Sequence, residues 1–338
     1  MSNHFMFIGF IIFMSCLLFL CATVVWFVCW GVARLYHHAM PFAPFAYVGL
    51  GIVMLFLVIM LYGYCFGRFQ LRVQHSTYTS DKVPAAFDGC KIVHISDLHL
   101  SSMADSPEFL QRVIDTINAQ QPDLICFTGD FVGFGVEEAR PFTDMLLQLR
   151  AKDGVVSVLG NHDFALYHHG LSSKQKEEKV EQLAIYQRDT LGWKLLRNQS
   201  GVITRDSDAL QIIGVDNASC QGQGFQTVYR ADLPKAMLLP DSLLASSPFK
   251  ILLSHDPSHW RAEVLPNTDI PLTLSGHTHA GQMRIFGYPL SLVMFKESEG
   301  WYEKDGQSLY INTGIGCTLP VRVDVPAEIT VITLKKSQ

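Results

Sequence analysis

The sequence predicts an α/β domain carried behind a two-helix membrane hairpin. Three observations in its 338 residues lead to that class. Two long runs near the N-terminus carry no Asp, Glu, Lys or Arg; β-rich and helix-patterned segments then alternate; and many of the β-rich segments end in Asp, Asn or His. Alternation of this kind builds a sheet flanked by helices, with ligands gathered at the carboxyl ends of its strands.

The first uncharged run extends from Phe5 to Ala33 and the second from Leu35 to Gly67, with Arg34 between them. Each is longer than the roughly 20 residues that cross a hydrocarbon core. Trp26, Trp30, Tyr36 and Tyr62 lie toward the ends of the runs, where amphipathic rings favour the membrane interface. A cleaved signal peptide fits the first run poorly, because no Lys or Arg precedes it and it is too long for an h-region. Pro41 and Pro44 place a turn between the runs, so residues 1–69 read as a transmembrane hairpin. Arg68 and Arg72 follow the second run while the connection carries only Arg34, which favours the cytoplasmic side for the following domain.

Four of the eight cysteines (Cys16, Cys21, Cys29 and Cys65) belong to the hairpin, and Cys90, Cys126, Cys220 and Cys317 are scattered, so neither a disulfide framework nor a zinc ribbon is legible. Reduced thiols agree with the cytoplasmic assignment. A net charge of −5, with no basic run beyond Lys335-Lys336, argues against a groove that tracks nucleic-acid phosphates. No feature identifies a protein partner.

Residues 70–87 are polar, rich in Thr and Ser, and contain Pro84; they read as a tether to a domain covering 88–338. Lys91–Ile95 is the first strand. Ser106-Pro107-Glu108 then supplies an N-cap, a proline at the first helical position and an early acid, and Phe109, Leu110, Val113, Ile114 and Ile117 follow at helical spacing. Leu124–Phe127 is the next strand, Phe142, Met145, Leu146 and Leu149 give a second helical face, and Val155–Val158 is the third strand. A charged surface helix is expected over 173–191, and further strands near 210–215, 250–253, 272–274, 309–311 and 329–334.

The polar strand ends are Asp97-Leu98-His99, Gly129-Asp130, Gly160-Asn161-His162-Asp163, Ser254-His255-Asp256 and Gly276-His277-Thr278-His279. Residues at i and i+2 of an extended chain project to the same side. Glycine before Asp130, Asn161 and His277 permits tight geometry where strand becomes loop. Imidazoles mixed with carboxylates suit manganese, iron or zinc better than calcium. His94, inside an apolar strand, reads as a core histidine, the His168-His169 pair as solvent-facing, and Arg322 as a surface or structural arginine, with a substrate-anion role as the alternative.

These five segments, in this order, resemble the signature of the calcineurin-like metallophosphoesterases, written D-x-H, G-D, G-N-H-[DE], H and G-H-x-H. The extended form Gly276-His277-Thr278-His279-Ala280-Gly281-Gln282 behind an apolar N-terminus is similar to the membrane-attached branch with YkuE-like and YaeI-like members. The resemblance implies a four-layer α-β-β-α sandwich and two divalent metal ions, manganese favoured. It implies that Asp97, His99 and His279 bind one metal, that Asn161, His255 and His277 bind the other, and that Asp130 bridges them. His162 would contact a phosphate oxygen or protonate the leaving group, with Asp163 orienting or supporting it. The expected reaction is metal-assisted, in-line attack of water on phosphorus.

The expected substrate contains phosphate. The membrane anchor favours a lipid-linked one, with UDP-2,3-diacylglucosamine the leading candidate because some branches of the superfamily cleave its pyrophosphate. A soluble phosphodiester or phosphomonoester is the alternative, and a catalytically silent membrane scaffold is a further one.

Overall fold

The computed structural model describes residues 2–168, 170–224, 226–239 and 248–337. His169 lies outside them. The chain divides into two compact units, Met1–Arg68 with Thr318–Val323, and Phe69–Cys317 with Asp324–Gln338.

The first unit is built on two helices, Ser2–Leu35 and Ala43–Cys65, both long and apolar enough to cross a membrane. Pro44, whose ring suits a first turn, starts the second helix. The helices pack antiparallel: Phe7 stacks on Tyr64 with ring centroids 5.5 Å apart, and Trp26 meets Phe42 edge-on at 5.0 Å. Gly49 lies against Ala22 and Phe19, a small-residue contact that lets the backbones approach. The outward faces are predominantly apolar, with Phe13 64% and Leu55 62% exposed. An exposed apolar surface this extensive is stable only against lipid or another apolar partner. Arg322, in the short segment that belongs to this unit, is fully buried, and its backbone N–H donates to Gly63 O at 3.3 Å.

The second unit contains fourteen strands among the described residues: β1 (Leu71–Ser80), β2 (Lys91–Ile95), β3 (Leu124–Phe127), β4 (Val155–Ser157), β5 (Lys194–Leu195), β6 (Gln199–Arg205), β7 (Asp208–Gly214), β8 (Phe249–Leu253), β9 (Leu272–Ser275), β10 (Arg284–Ile285), β11 (Tyr288–Pro289), β12 (Gly300–Lys304), β13 (Gln307–Ile311) and β14 (Ala327–Lys336). They form one six-stranded sheet in the order β1-β14-β2-β3-β4-β5, a second in the order β12-β13-β9-β8-β7-β6, and the small hairpin β10-β11. Strands β2 to β5 run parallel, as do β7, β8, β9 and β13.

Period-two alternation explains the layers. On β3, Ile125 and Phe127 enter a core shared with the helix Pro107–Ala119, while Leu124 and Cys126 enter the core between the two sheets. The helix contributes Phe109, Leu110, Val113, Ile114 and Ile117, all buried as their spacing predicts, each worth about 1.5–3 kcal/mol of apolar burial. On the far side of the second sheet, Ile213 and Leu252 pack with Leu233, Ala236, Trp260 and Val264. The result is the expected α-β-β-α order.

Two local expectations are corrected. Leu71–Ser80 is a strand and not a loose tether: it pairs in parallel with β14 along its whole length and buries Tyr78. Its Val, Thr and Tyr residues suit a pleated surface, but the pairing partner lies more than 250 residues away, beyond the reach of a local reading. The apolar pattern from Phe142 to Leu149 forms only the short helix Thr143–Leu146 after the 3₁₀ turn Arg140–Phe142; beyond it the chain closes in tighter turns, with Gln148 N–H donating to Met145 O at 2.9 Å and Leu149 N–H to Leu146 O at 3.3 Å.

Candidate active site

Parallel strands point their carboxyl ends the same way, so the loops after β2, β3 and β4 gather at one end of the first sheet and those after β8 and β9 at one end of the second. The two groups meet. Asp97, His99, Asp130, Asn161, His255 and His279 are buried together, and His277 and His162 are partly exposed at their margin. Gly276 permits the meeting: a Cβ there would collide with Ser96 and the Asp97 carboxylate.

Three sets of side chains bring ligand atoms within 4.8 Å of one another: Asp97, His99 and His279; Asp130, His255 and His277; and His99, Asp130 and His162. Asp130 Oδ2 lies between the first two, 3.5 Å from His99 Nε2 and 3.3 Å from His255 Nε2. Its other oxygen accepts the His162 backbone N–H at 2.8 Å. His99 Nε2 and His279 Nε2 face each other at 3.2 Å, and His279 Nε2 is also 3.2 Å from Asp97 Oδ1, a buried oxygen with no hydrogen-bond partner.

The donor set fits divalent cations. His255 Nδ1 lies 2.7 Å from Thr128 O, an acceptor, so Nδ1 carries the proton and Nε2 turns its lone pair inward. There it meets Asn161 Oδ1 at 3.1 Å, Asp130 Oδ2 at 3.3 Å and His277 Nδ1 at 3.2 Å. Lone pairs crowded in this way require positive charge between them. In its absence burial opposes a charged His255, but Asp130 and Asp97 outweigh it and raise the pKa to about 10. Burial holds His99 and His277 well toward the neutral, metal-binding form.

Strain accompanies the site. Asp97, His99, Asp130, His277 and His279 all have positive φ, between 38° and 73°, where a side chain costs about 1–3 kcal/mol. Asp163 helps hold them. Its carboxylate accepts backbone N–H groups from Gly160, Asp130 and Phe131 at 2.9 Å and from Val132 at 3.2 Å, tying the β3 and β4 loops together. Burial and the Asp130 charge push its pKa up to about 8, against four amides that favour the ionised form.

The comparisons agree with this geometry. Residues 90–281 match the family model described as calcineurin-like phosphoesterase. The chain belongs to that family. It is similar to the uncharacterized metallophosphoesterase YkuE of Bacillus subtilis, 31% identical over 290 residues that cover 81% of this chain and 91% of the relative. An uncharacterized metallophosphoesterase of Aquifex aeolicus is 28% identical over 286 residues, covering 83% and 98% of the two chains. A zebrafish transmembrane protein with metallophosphoesterase domain is 26% identical over 274 residues, which cover 76% of this chain but 56% of the relative. This phosphoesterase is accordingly a metal-dependent hydrolase of phosphoesters with two candidate transmembrane helices.

The nine candidate site residues read from the sequence come together in or beside the phosphoesterase's ligand cluster. Asp163 was expected to orient or electrostatically support His162; its carboxylate accepts four loop amides, which ties it to the loops as well. The His162 ring lies 3.3 Å by Nδ1 from Gly133 O, edge-on to His99 at 4.7 Å and tilted against Tyr167 at 4.3 Å. Tyr167 is a residue the sequence reading missed. Its hydroxyl accepts from Asn161 Nδ2 at 3.1 Å, which turns Asn161 Oδ1 toward His255. Asp256, part of the Ser254-His255-Asp256 strand end but given no role from sequence, lies 3.7 Å by Oδ2 from His277 Nε2. His94 is a core residue: burial lowers its pKa to about 3, and Nε2 bonds Thr128 Oγ1 at 2.9 Å.

Proposed function

We propose that this phosphoesterase is an integral protein of a bacterial inner membrane whose cytoplasmic unit cleaves a phosphate ester or phosphoanhydride in a lipid-linked substrate, UDP-2,3-diacylglucosamine being the leading candidate. The observation that carries the reading is a buried cluster of imidazoles and carboxylates, bordered by the partly exposed His162, in a chain with two membrane-length helices.

Asp97, His99 and His279 would hold one cation, Asn161, His255 and His277 the other, and Asp130 would face both; manganese is favoured for this mixed set. When bound, the cations supply Lewis-acid charge that acidifies water and offsets charge developing on the phosphoryl oxygens. The protein does the rest. Thr128 O fixes the His255 tautomer, Tyr167 fixes the Asn161 amide, and Asp163 holds the loops in their strained conformation. His162 is the group at the open side, able to donate a hydrogen bond to a phosphate oxygen or a proton to the departing oxygen. The neutral amide of Asn161 adds an oxygen donor without a further negative charge to repel the substrate.

Profiling the full-length protein in lipid nanodiscs with manganese tests the reading against lipid pyrophosphates, soluble phosphodiesters and phosphomonoesters. The highest kcat/KM is expected for a lipid pyrophosphate. A clear preference for a soluble ester would remove the lipid-linked substrate, and no hydrolysis of any of the three would remove the catalytic reading.

A further inference from the structure

The segment immediately after the His277–His279 turn has a surface unlike the rest of the catalytic unit. From Ile285 to Phe295 it contains no charged residue, and it is bounded by Arg284 and Lys296. Phe286 is 97%, Val293 86% and Tyr288 72% exposed, with Ile285, Leu290 and Leu292 exposed beside them. Among the described residues, other exposed large apolar side chains of this unit, such as Leu147 and Ile185, are separated in sequence and stand singly. Single exposed residues are ordinary, whereas a contiguous apolar patch marks an interaction surface.

The patch is rigidly joined to the ligand loops. Strands β10 and β11 close its tip, and Leu290 N–H donates to Met283 O at 3.0 Å. Gly281, at φ +69° and two residues after His279, packs so closely on Leu290 and Ser291 that a side chain there would not fit. Phe295 lies edge-on to the His277 ring at 5.5 Å.

We propose that residues 285–293 insert into the interfacial region of a lipid bilayer and hold the ligand loops at the depth of lipid phosphates. Aromatic and aliphatic side chains without acids are the composition that favours this region; of the two flanking bases, Arg284 is paired with Glu299 and Lys296 is exposed. The bilayer is also at hand: the second membrane-length helix ends at Cys65 and β1 begins at Leu71, so a few residues of chain join the catalytic unit to it. Such tethering makes even a weak surface contact effective, because it becomes intramolecular. The inference rests on the reading of the hairpin as membrane-spanning and of the site as acting on lipid-linked phosphate.

The test uses full-length protein in nanodiscs of phosphatidylethanolamine and phosphatidylglycerol, with 4-trifluoromethylphenylalanine placed at position 286 and, as a reference, at the exposed position 147. The ¹⁹F resonance at 286 is expected to lose most of its intensity to a nitroxide-bearing phospholipid and little to an aqueous gadolinium chelate, with the reverse at 147. Equal exposure of both positions to the aqueous chelate overturns the proposal. So does a resonance at 286 shielded from both agents in a particle holding two copies, which would assign the patch to self-association. In the same nanodiscs Phe286→Ser with Val293→Ser should lower hydrolysis of a lipid pyrophosphate about tenfold through lost apolar contact and leave a soluble aryl phosphodiester unaffected. An equal fall on both substrates also counts against the proposal. If the unaltered protein cleaves only the soluble diester while position 286 still meets the lipid nitroxide, the substrate reading fails and the bilayer contact stands.

Discussion

The ligand cluster and the helical hairpin invert the usual distribution of polarity in opposite directions. The cluster buries Asp97, Asp130 and His255 almost completely, whereas the hairpin leaves Phe13, Phe27 and Leu55 largely exposed. Neither arrangement is stable in water on the chain's own account, since buried charge requires a counter-charge and a continuous apolar surface requires an apolar medium. Each region therefore describes its missing partner: divalent cations for one, an apolar medium for the other. What separates them is precision. Lipid accepts any apolar side chain, while the cluster depends on individual atoms, such as Asp130 Oδ2 between His99 and His255.

That difference orders the expected effects of substitution. Asp130→Asn removes the charge that faces both ligand sets, and activity on an aryl phosphodiester should fall to background together with metal content measured by plasma mass spectrometry. Retention of both would break the comparison, because the cluster would then tolerate change as the hairpin does.

His162→Ala should lower turnover by roughly 10²–10⁴-fold, the usual contribution of a positioned acid or base, with metal content unchanged. Loss of metal in this variant would place His162 among the ligands, as its approach to His99 and Asp130 permits.

On the apolar side, Leu55→Lys puts a charge near the middle of the Ala43–Cys65 helix, at a cost of about 2.5–3.5 kcal/mol for insertion. The variant should shift measurably from the membrane fraction to degraded or aggregated protein, while Leu55→Phe should not. Equal behaviour of the two would show that this face does not meet lipid.

Tyr167→Phe is the mildest change. It removes one hydrogen bond to Asn161, worth about 1 kcal/mol, and should lower kcat/KM about fivefold and weaken metal retention in a chelator titration. An unchanged metal affinity would show that Asn161 is oriented without it.

Much of the site was legible because its chemistry is local. Residue types at strand ends, the i,i+2 spacing of Asp97 with His99 and of His277 with His279, and the preceding glycines are all written in short stretches of chain. Roles that depend on a partner from another loop were not legible. Asp163 carries no mark that its carboxylate will bind the amides of Asp130, Phe131 and Val132. Tyr167 follows the turn at no diagnostic spacing, and Leu71–Ser80 reads as polar linker until β14 is beside it.

By itself the sequence determined the two apolar helices, the alternating elements and the Asp, Asn and His residues at the strand ends, because hydrophobic periodicity and side-chain chemistry act over a few residues. Tertiary structure decided which of two similar apolar stretches is core and which is surface. Leu272–Leu274 is covered by the opposing sheet, whereas Ile285–Val293 is turned outward by a two-residue-stranded hairpin fastened to the ligand loop. Burial is a property of neighbours, and those neighbours come from distant parts of the chain.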